Sequence, residues 1–313
     1  MQKINRDKIR GIIDRCLKNN PCDVDIRYDE PMCEHITFKV GGPADCWLRP
    51  QGEGFPLFSA ALIRCARSEG VPVFILGGGA NIVVSDNGIP GIVVDSGGWK
   101  GGAVTEEGLV VKSGTSIDEA AGYAAAAGLS GLEFLAGMPG SVGGAVWMNA
   151  RCYGNEIADV LAWTEVINGE GFKKIVTEQL PDGFGYKRSP FQNMDCLILE
   201  ACFNLKTGDK NEILIEMEKN RQDRRNKGHY LFPCAGSAFK NNRNFGKPTG
   251  QIIDELGLRG FQIGGAQVAP FHGNIVINTG GASAADIRAL MDEVAARVKT
   301  ATGFVLEPEI LFR

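Results

Sequence analysis

The sequence predicts an α+β chain with a nucleotide-binding part first and a smaller mixed part after it. Three observations carry this. Short β-type runs alternate with helical segments over roughly the first third of the chain. The pattern then turns to successive strands from Leu161 onward, and long amphipathic helices return after Gly208. At 313 residues the chain can bury a large core and is long enough for two or three domains.

Taken in order, the amino terminus from Met1 to Arg15 has helical spacing. ITFKVGGPADCWLRP then reads as an alternating strand, a Gly41-Gly42-Pro43 turn and a second strand, a hairpin-like entry. Pro56 to Gly70 places Leu57, Ala61 and Cys65 at helical spacing and ends on glycine, and the buried strand VPVFIL follows. GGGANIVVSDNG reads as a glycine turn, a strand and an Asn87-Gly88 hairpin signal before the strand GIVVDSGG. GLVVKSG is another strand, and Ser116 with Glu119 three residues later marks the start of an alanine-rich helix running to Gly128. LAWTEVI, FKKIV and CLILEACFNL, with a polar segment between the last two, are antiparallel strands. Asn211 to Asn226 is a helix with a basic tail of Arg221, Arg224, Arg225 and Lys227, a charge run that usually marks a solvated face. HYLFPCAGSAFKNN is a glycine and serine turn between aromatics. PTGQIIDELGLRG is a short helix, NIVINTGG a strand, ASAADIRALMDEVAARVKTATG a capped helix, and FVLEPEILFR a closing strand. A boundary falls between Gly208 and Asn211.

Composition narrows the function. With 44% hydrophobic and 22% charged residues and a net charge of −4, the chain has the character of an ordinary soluble protein, not one that coats a polyanion, so no nucleic-acid partner is expected. The charged first residues offer no secretory signal, and Glu133, Pro139 and the glycines break up the weakly charged run from Ala120 to Ala150, so neither export nor a membrane span is expected; the protein reads as cytoplasmic. Nine cysteines without a C-x-x-C pair read mostly as reduced, buried small hydrophobes. Three widely separated histidines, His35, His229 and His272, argue against a metal site.

The stretch from Gly131 to Gly154, GLEFLAGMPGSVGGAVWMNARCYG, stands out for its glycine. Glycine is conformationally costly to order, so this density points to a sharply turning backbone or one that lies against a ligand. A cradle of main-chain amides for a phosphate and a tight β-corner both fit the composition. Gly77-Gly78-Gly79-Ala80-Asn81 lacks the G-x-G-x-x-G spacing and no lysine follows Gly140 to Gly144, so the Rossmann and Walker A fingerprints are both absent.

Together these motifs resemble the UDP-N-acetylenolpyruvoylglucosamine reductase (MurB) family, in its short-loop (type II) form, from about Thr37 to Arg313. TFKVGGPAD, GGGANIVVSDNG, GMPGSVGGAVWMN, AGSAFKN, GLRGFQIGGAQV and LEPEI occur in the family's order. The resemblance implies a two-part FAD-binding domain of the PCMH/VAO-like type, at residues 1–100 and 101–210, followed by an α+β substrate-binding domain at 211–313 whose last strand returns a glutamate to the flavin. It implies noncovalent FAD held by Gly77, Gly78, Gly79, Ala80, Asn81 and Ile82 on one loop. On the other it implies Met138, Pro139, Gly140, Ser141, Gly143, Gly144 and Asn149, with Pro139 to Gly144 giving amides to the diphosphate.

The implied chemistry is a two-step hydride transfer, from NADPH to FAD and then to carbon 3 of the enolpyruvyl ether of a UDP-sugar. Negative charge develops on carbon 2 and its carboxylate, so the site needs a proton donor and a stabilising cation. The resemblance gives the donor as Ser237 and assigns Glu309 to the enolic intermediate or its proton relay. If protonated in a partly buried site, Glu309 could donate to the substrate carboxylate. The family's Tyr-Arg-x-Ser motif reads here Tyr186-Lys187-Arg188-Ser189, with lysine where the arginine belongs. On a regular strand Lys187 and Arg188 face opposite sides, so either Lys187 or Arg188 is the cation at the flavin, and register favours Lys187. Tyr186, Lys227, Asn241 and Gln251 are implied substrate contacts, Lys227 and Asn241 at the diphosphate. NARCYG replaces the more usual NAGAYG, so Arg151 is either a further phosphate contact or a surface charge. A flavin oxidase of the same fold and a non-catalytic flavin or nucleotide binder are the competing classes. Oxidases of that kind commonly attach FAD through a loop histidine that Gly79-Ala80-Asn81 lacks, and the substituted Lys187 is the one feature favouring a silent binder. A monomer or weak oligomer is expected.

Overall fold

The computed structural model describes residues 3–180 and 183–313. Met1 and Gln2, at the start of the expected leading helix, and two residues of the polar segment before Leu197 lie outside the described residues. The chain is α+β. A four-stranded sheet has the order Asp23–Pro31, Pro43–Gln51, Ile89–Asp95, Val73–Leu76, with the first pair antiparallel and the others parallel. Helix Phe55–Ser68 makes the crossover from Pro43–Gln51 to Val73–Leu76, a βαβ connection. Its strands alternate as a doubly covered sheet must. Cys46, Leu48, Ile92 and Val94 pack with Ile9, Ile12 and Ile13 of helix Arg6–Asn19 and with Phe55, Phe58 and Leu62. Trp47 and Val93 face the other way, into a core shared with Phe239, Ile253, Leu290 and Val294 of the carboxyl-terminal part.

A second, fully antiparallel sheet orders Gly171–Val176, Leu161–Asn168, Leu197–Phe203, Gly108–Lys112 and Gly102–Thr105. Helix Ile117–Ala126, opened by the expected Ser116–Glu119 capping box, packs in its core with the short helix Val142–Met148. The carboxyl-terminal part is a four-stranded antiparallel sheet, Cys234–Ser237, Ile275–Asn278, Ala266–Val268 and Gln262–Ile263, with helix Ala284–Thr302. The final strand, Leu311–Phe312, leaves this part and pairs in parallel with Ile82–Val83.

Several expectations need correction. Ile36 to Val40 is not a strand, although its alternation is genuine. Ile36, Phe38 and Val40 are buried from an irregular loop in which Lys39 takes φ +56°, and the strand paired with Pro43–Gln51 is Asp23–Pro31. Asn87-Gly88 closes no hairpin, because Ile89–Asp95 pairs with the two parallel strands instead of with Ile82–Val83. The closing segment is strand only at Leu311–Phe312. All nine cysteines are free, and three of them, Cys16, Cys46 and Cys202, are buried.

Asp86, just ahead of that turn, caps helix Ala284–Thr302 from a distant part of the chain. Its Oδ1 accepts from the Ala284 amide at 2.8 Å and its Oδ2 from the Ala285 amide at 3.0 Å. The carboxylate thus meets both unsatisfied donors and the positive end of the helix dipole. Asp86→Ala is expected to lower stability by about 1–2 kcal/mol, read from the urea midpoint at constant m-value. An unchanged midpoint would show that Ser283 and its capping box suffice.

Candidate active site

Two glycine loops meet face to face. Val73–Leu76 runs into Gly77, Gly78 and Gly79, while Met138 to Ser141 leads into helix Val142–Met148. Ser141 is the helix N-cap, and its Oγ accepts from the Gly144 amide at 3.3 Å and from the Gly78 amide of the opposite loop at 3.1 Å. A Cβ on Gly78 would lie 2.6 Å from the Gly140 Cα, and one on Gly77 would lie 2.7 Å from the Ser141 Oγ. These glycines therefore serve first the approach of one loop to the other. The stretch is neither a β-corner nor a simple row of amides, since Gly143 and Gly144 lie inside the helix. The Val142 and Gly143 amides point inward to the Thr115 and Ser113 carbonyls, both at 2.9 Å, so the expected donor run from Pro139 to Gly144 shrinks to Gly140 and Ser141. Their amides, with those of Gly79, Ala80 and Asn81 across the gap, have no protein partner among the described residues. Opposed, unpartnered donors of this kind suit a pyrophosphate.

The loops border a cleft of about 500 Å³, which Ser237, Glu309 and Lys187 also line. Ser237 ends strand Cys234–Ser237, opposite Ile275. Glu309, 8% exposed, is held by its backbone. Its amide donates to the Ala238 carbonyl at 2.8 Å, and its carbonyl accepts from the Asn81 side chain at 3.2 Å. Its carboxylate Oε1 lies 2.6 Å from Lys187 Nζ in a largely buried ion pair.

The regular strand assumed around Tyr186 is in fact a tight turn. Gly185 and Arg188 exchange both backbone hydrogen bonds at 3.0 Å, leaving Tyr186 and Lys187 at its tip. Lys187 has φ +56°, which costs a side-chain-bearing residue roughly 1–2 kcal/mol. Three contacts hold that conformation. The Asn149 side chain donates to the Gly185 carbonyl at 2.9 Å, Gln192 donates to the Lys187 carbonyl at 3.1 Å, and Ser189 Oγ donates to the Trp147 carbonyl at 2.6 Å. Lys187 lines the cleft and Arg188 does not.

The other expected residues divide. Gly77, Gly78, Gly79, Ala80, Asn81, Ile82, Met138, Pro139, Gly140, Ser141, Gly143, Gly144 and Lys227 line the cleft. Asn149 does not; it is fully buried behind the cleft as the left-handed cap of helix Val142–Met148. Tyr186 and Asn241 line a neighbouring outer cavity, where the Asn241 amide donates to Tyr186 Oη at 3.3 Å. Gln251 lines neither and donates to Glu255 at 2.9 Å. Lys227 Nζ is 2.6 Å from Asp223, which also accepts from Tyr153 Oη at 2.7 Å. The Lys227 hydrogen bond holds the Asp223 carboxyl below its usual range, while burial and then the Asp223 hydrogen bond push the Tyr153 phenol up.

Sequence reasoning missed Tyr153, Asp223, Arg224, His229 and Tyr230 on this wall. Arg224, assigned to a solvated face, is 6% exposed and donates to the Ala136 and Phe134 carbonyls at 3.1 and 3.3 Å, bracing the glycine-rich stretch. Its place in a run of basic residues hid it. Burial, Arg224 and His272 together hold the His229 imidazole down to about 4.

Residues 59–174, which include both glycine loops of the cleft, match the FAD binding domain family, and this places the chain among flavin-binding oxidoreductases. Residues 227–313 match the UDP-N-acetylenolpyruvoylglucosamine reductase C-terminal domain. The UDP-N-acetylenolpyruvoylglucosamine reductase of Borrelia garinii subsp. bavariensis is 42% identical over 90% of this chain and 91% of its own. That of Treponema denticola is 40% identical over 92% and 93%. The crystal structure of the Thermus caldophilus reductase superposes with a TM-score of 0.75 at 33% identity, over 93% of this chain and 99% of that one. The chain belongs to the UDP-N-acetylenolpyruvoylglucosamine reductase family.

Gly78→Ala is expected to force the loops apart and lower the fraction of purified protein carrying flavin, read from the ratio of visible to ultraviolet absorbance. Full flavin occupancy would refute the close-approach argument. A second expectation concerns pH. Because the folded His229 resists protonation while the unfolded chain takes a proton near 6.5, the unfolded state binds more protons between about 4 and 6.5. Stability should therefore fall as pH drops through that window, and His229→Gln should flatten the fall in denaturant titrations at pH 7 and pH 5.

Proposed function

We propose that the protein is an FAD-dependent reductase that uses NADPH to convert UDP-N-acetylglucosamine enolpyruvate to UDP-N-acetylmuramate in peptidoglycan precursor synthesis. The observation that carries this reading is that Ser237, Glu309 and Lys187 line one cleft together with the unpartnered loop amides. The amides of Gly79, Ala80, Asn81, Gly140 and Ser141 would hold the FAD diphosphate, and Met138 and Ile82 would flank the cofactor. Bound FAD supplies the hydride relay between NADPH and the enolpyruvyl carbon.

The chain's own residues then handle charge and protons. As carbon 3 gains hydride, the charge on carbon 2 and its carboxylate is stabilised by the Lys187 ammonium, already aimed into the cleft by the Gly185–Arg188 turn. Ser237 Oγ gives its proton to carbon 2. Glu309, fixed at its backbone by Ala238 and Asn81, keeps Lys187 in place and takes part in returning a proton to Ser237. Tyr186, Lys227 and Asn241 bind the sugar nucleotide.

The proposed partition is two FAD-binding subdomains, 1–100 and 101–210, and a substrate domain at 211–313, with Leu311–Phe312 carrying Glu309 back to the cofactor. We read the protein as a cytoplasmic monomer or weak oligomer, and no helix among the described residues is long and apolar enough to cross a membrane.

The test separates the half-reactions. Anaerobic NADPH should bleach the bound flavin, and the enolpyruvyl sugar nucleotide should restore the yellow colour. Failure of the second step sinks the reductase reading in favour of an oxidase or silent binder. Ser237→Ala should spare bleaching and slow recolouring by orders of magnitude. Equal loss in both steps would make the serine structural.

A further inference from the structure

The outer cavity, about 690 Å³, is walled by Arg151, Tyr186, Lys240, Asn241, Asn242, Arg243, Phe245, Val305 and Glu307. Arg151 also lines the inner cleft, so the two spaces share a wall. The charges do not cancel. Lys240 is paired with Glu307, the one carboxylate on the wall. Arg151 stands over the Tyr186 ring at 5.6 Å, and its ion pair with Glu156 is long, at 3.7 Å. Arg243 has no ion pair among the described residues. The positive excess thus rests on two guanidiniums, beside polar Asn241 and Asn242 and the aromatic faces of Tyr186 and Phe245. In the inner cleft Lys187 is paired with Glu309, Lys227 with Asp223, and Arg224 gives its donors to the Ala136 and Phe134 carbonyls.

We propose that Arg151 and Arg243 bind a nucleotide phosphate in the outer cavity, beside the cleft that holds the Lys187–Glu309 pair. A guanidinium presents a planar fork that matches phosphate oxygens, and an incompletely paired one keeps its donors for a ligand. The shared Arg151 wall lets a nucleotide lie with its reacting end in the inner cleft and a phosphate outside. Two sources carry that chemistry, the 2′-phosphate of NADPH and the diphosphate of the sugar nucleotide. The inference rests on the reductase reading for the identity of these ligands.

The test uses the flavin-loaded protein and calorimetric Kd values for UDP against uridine and for adenosine 2′,5′-bisphosphate against adenosine 5′-monophosphate. In Arg243→Gln and Arg151→Gln at least one phosphate-bearing probe should bind about tenfold more weakly or worse, with its comparator little changed. Arg243→Lys should recover part of the loss. The probe that weakens identifies the source. The proposal is overturned if the unsubstituted protein shows no gain from either added phosphate, or if the double glutamine variant binds both probes undiminished. Should the glutamine variants lose flavin, Arg151→Met with Arg243→Met, which keep the length of the side chain and remove its charge, replaces them, and unchanged binding there overturns it equally. Failure of the reductase reading registers elsewhere, as unsubstituted enzyme whose reduced flavin is not reoxidised by the sugar nucleotide, whatever the Kd values.

Discussion

The site depends on the return of the carboxyl terminus to the first glycine loop. Leu311 donates to the Asn81 carbonyl at 3.1 Å, Arg313 to the Val83 carbonyl at 2.9 Å, and Ser85 to the Arg313 carbonyl at 2.6 Å. Only two residues of each segment are formally paired, yet this short parallel ladder joins the residue that would face the cofactor, Asn81, to the one that would face the reaction, Glu309. The Asn81 side chain completes the link at the Glu309 carbonyl. Because the flanking residues Val83, Leu306 and Ile310 lie in the core shared by the amino- and carboxyl-terminal parts, loosening either part moves both sides of the cleft.

A second constraint runs through Ser141. One hydroxyl caps a helix and holds the opposite loop, and no side chain at Gly77 or Gly78 could be admitted without parting them. That geometry explains why the amides of Val142 and Gly143 are spent on Thr115 and Ser113. The helix start must be anchored before the loop ahead of it can present Gly140 and Ser141. Arg224 supports the same loop from outside by satisfying carbonyls at Phe134 and Ala136, buried acceptors that would otherwise go unpaired.

Elements with strong local signals were legible in the sequence. The Ser116–Glu119 capping box, the antiparallel strands from Leu161 to Phe203 and helix Ala284–Thr302 form where pattern and capping chemistry agree. The misreadings share a cause, which is burial by distant chain. Ile36, Phe38 and Val40 alternate because an irregular loop buries every second side chain in the shared core while Lys39 stays exposed, and Asn87-Gly88 makes a turn whose next strand is claimed by parallel partners. Within the site, the glycine loops were legible as close-approach segments. Arg224 and Asp223 were not, since their helix has the charge pattern of an exposed one and only the contacts of Arg224 to Phe134 and Ala136 and of Asp223 to Tyr153 distinguish them. Asn149 was visible as part of a motif, but its left-handed backbone, which gives it a capping place behind the cleft, was not.

The lysine at position 187 follows from the same economy of space. The turn tip is fixed on three sides by Asn149, Gln192 and Ser189, so the backbone holds its φ of +56° whatever side chain it bears. From that fixed origin Lys187 reaches Glu309 with a single contact at 2.6 Å. An ammonium is a compact point charge with rotatable donors, so it can keep this contact and still turn a second N–H toward a substrate oxygen. A guanidinium gives two parallel donors to one carboxylate in a fixed plane. Removing either partner leaves a mostly buried charge without its counterion, a change that typically costs about 3–5 kcal/mol. Lysine at this position therefore keeps a positive charge beside Glu309 in the cleft from a backbone that three neighbours hold in place.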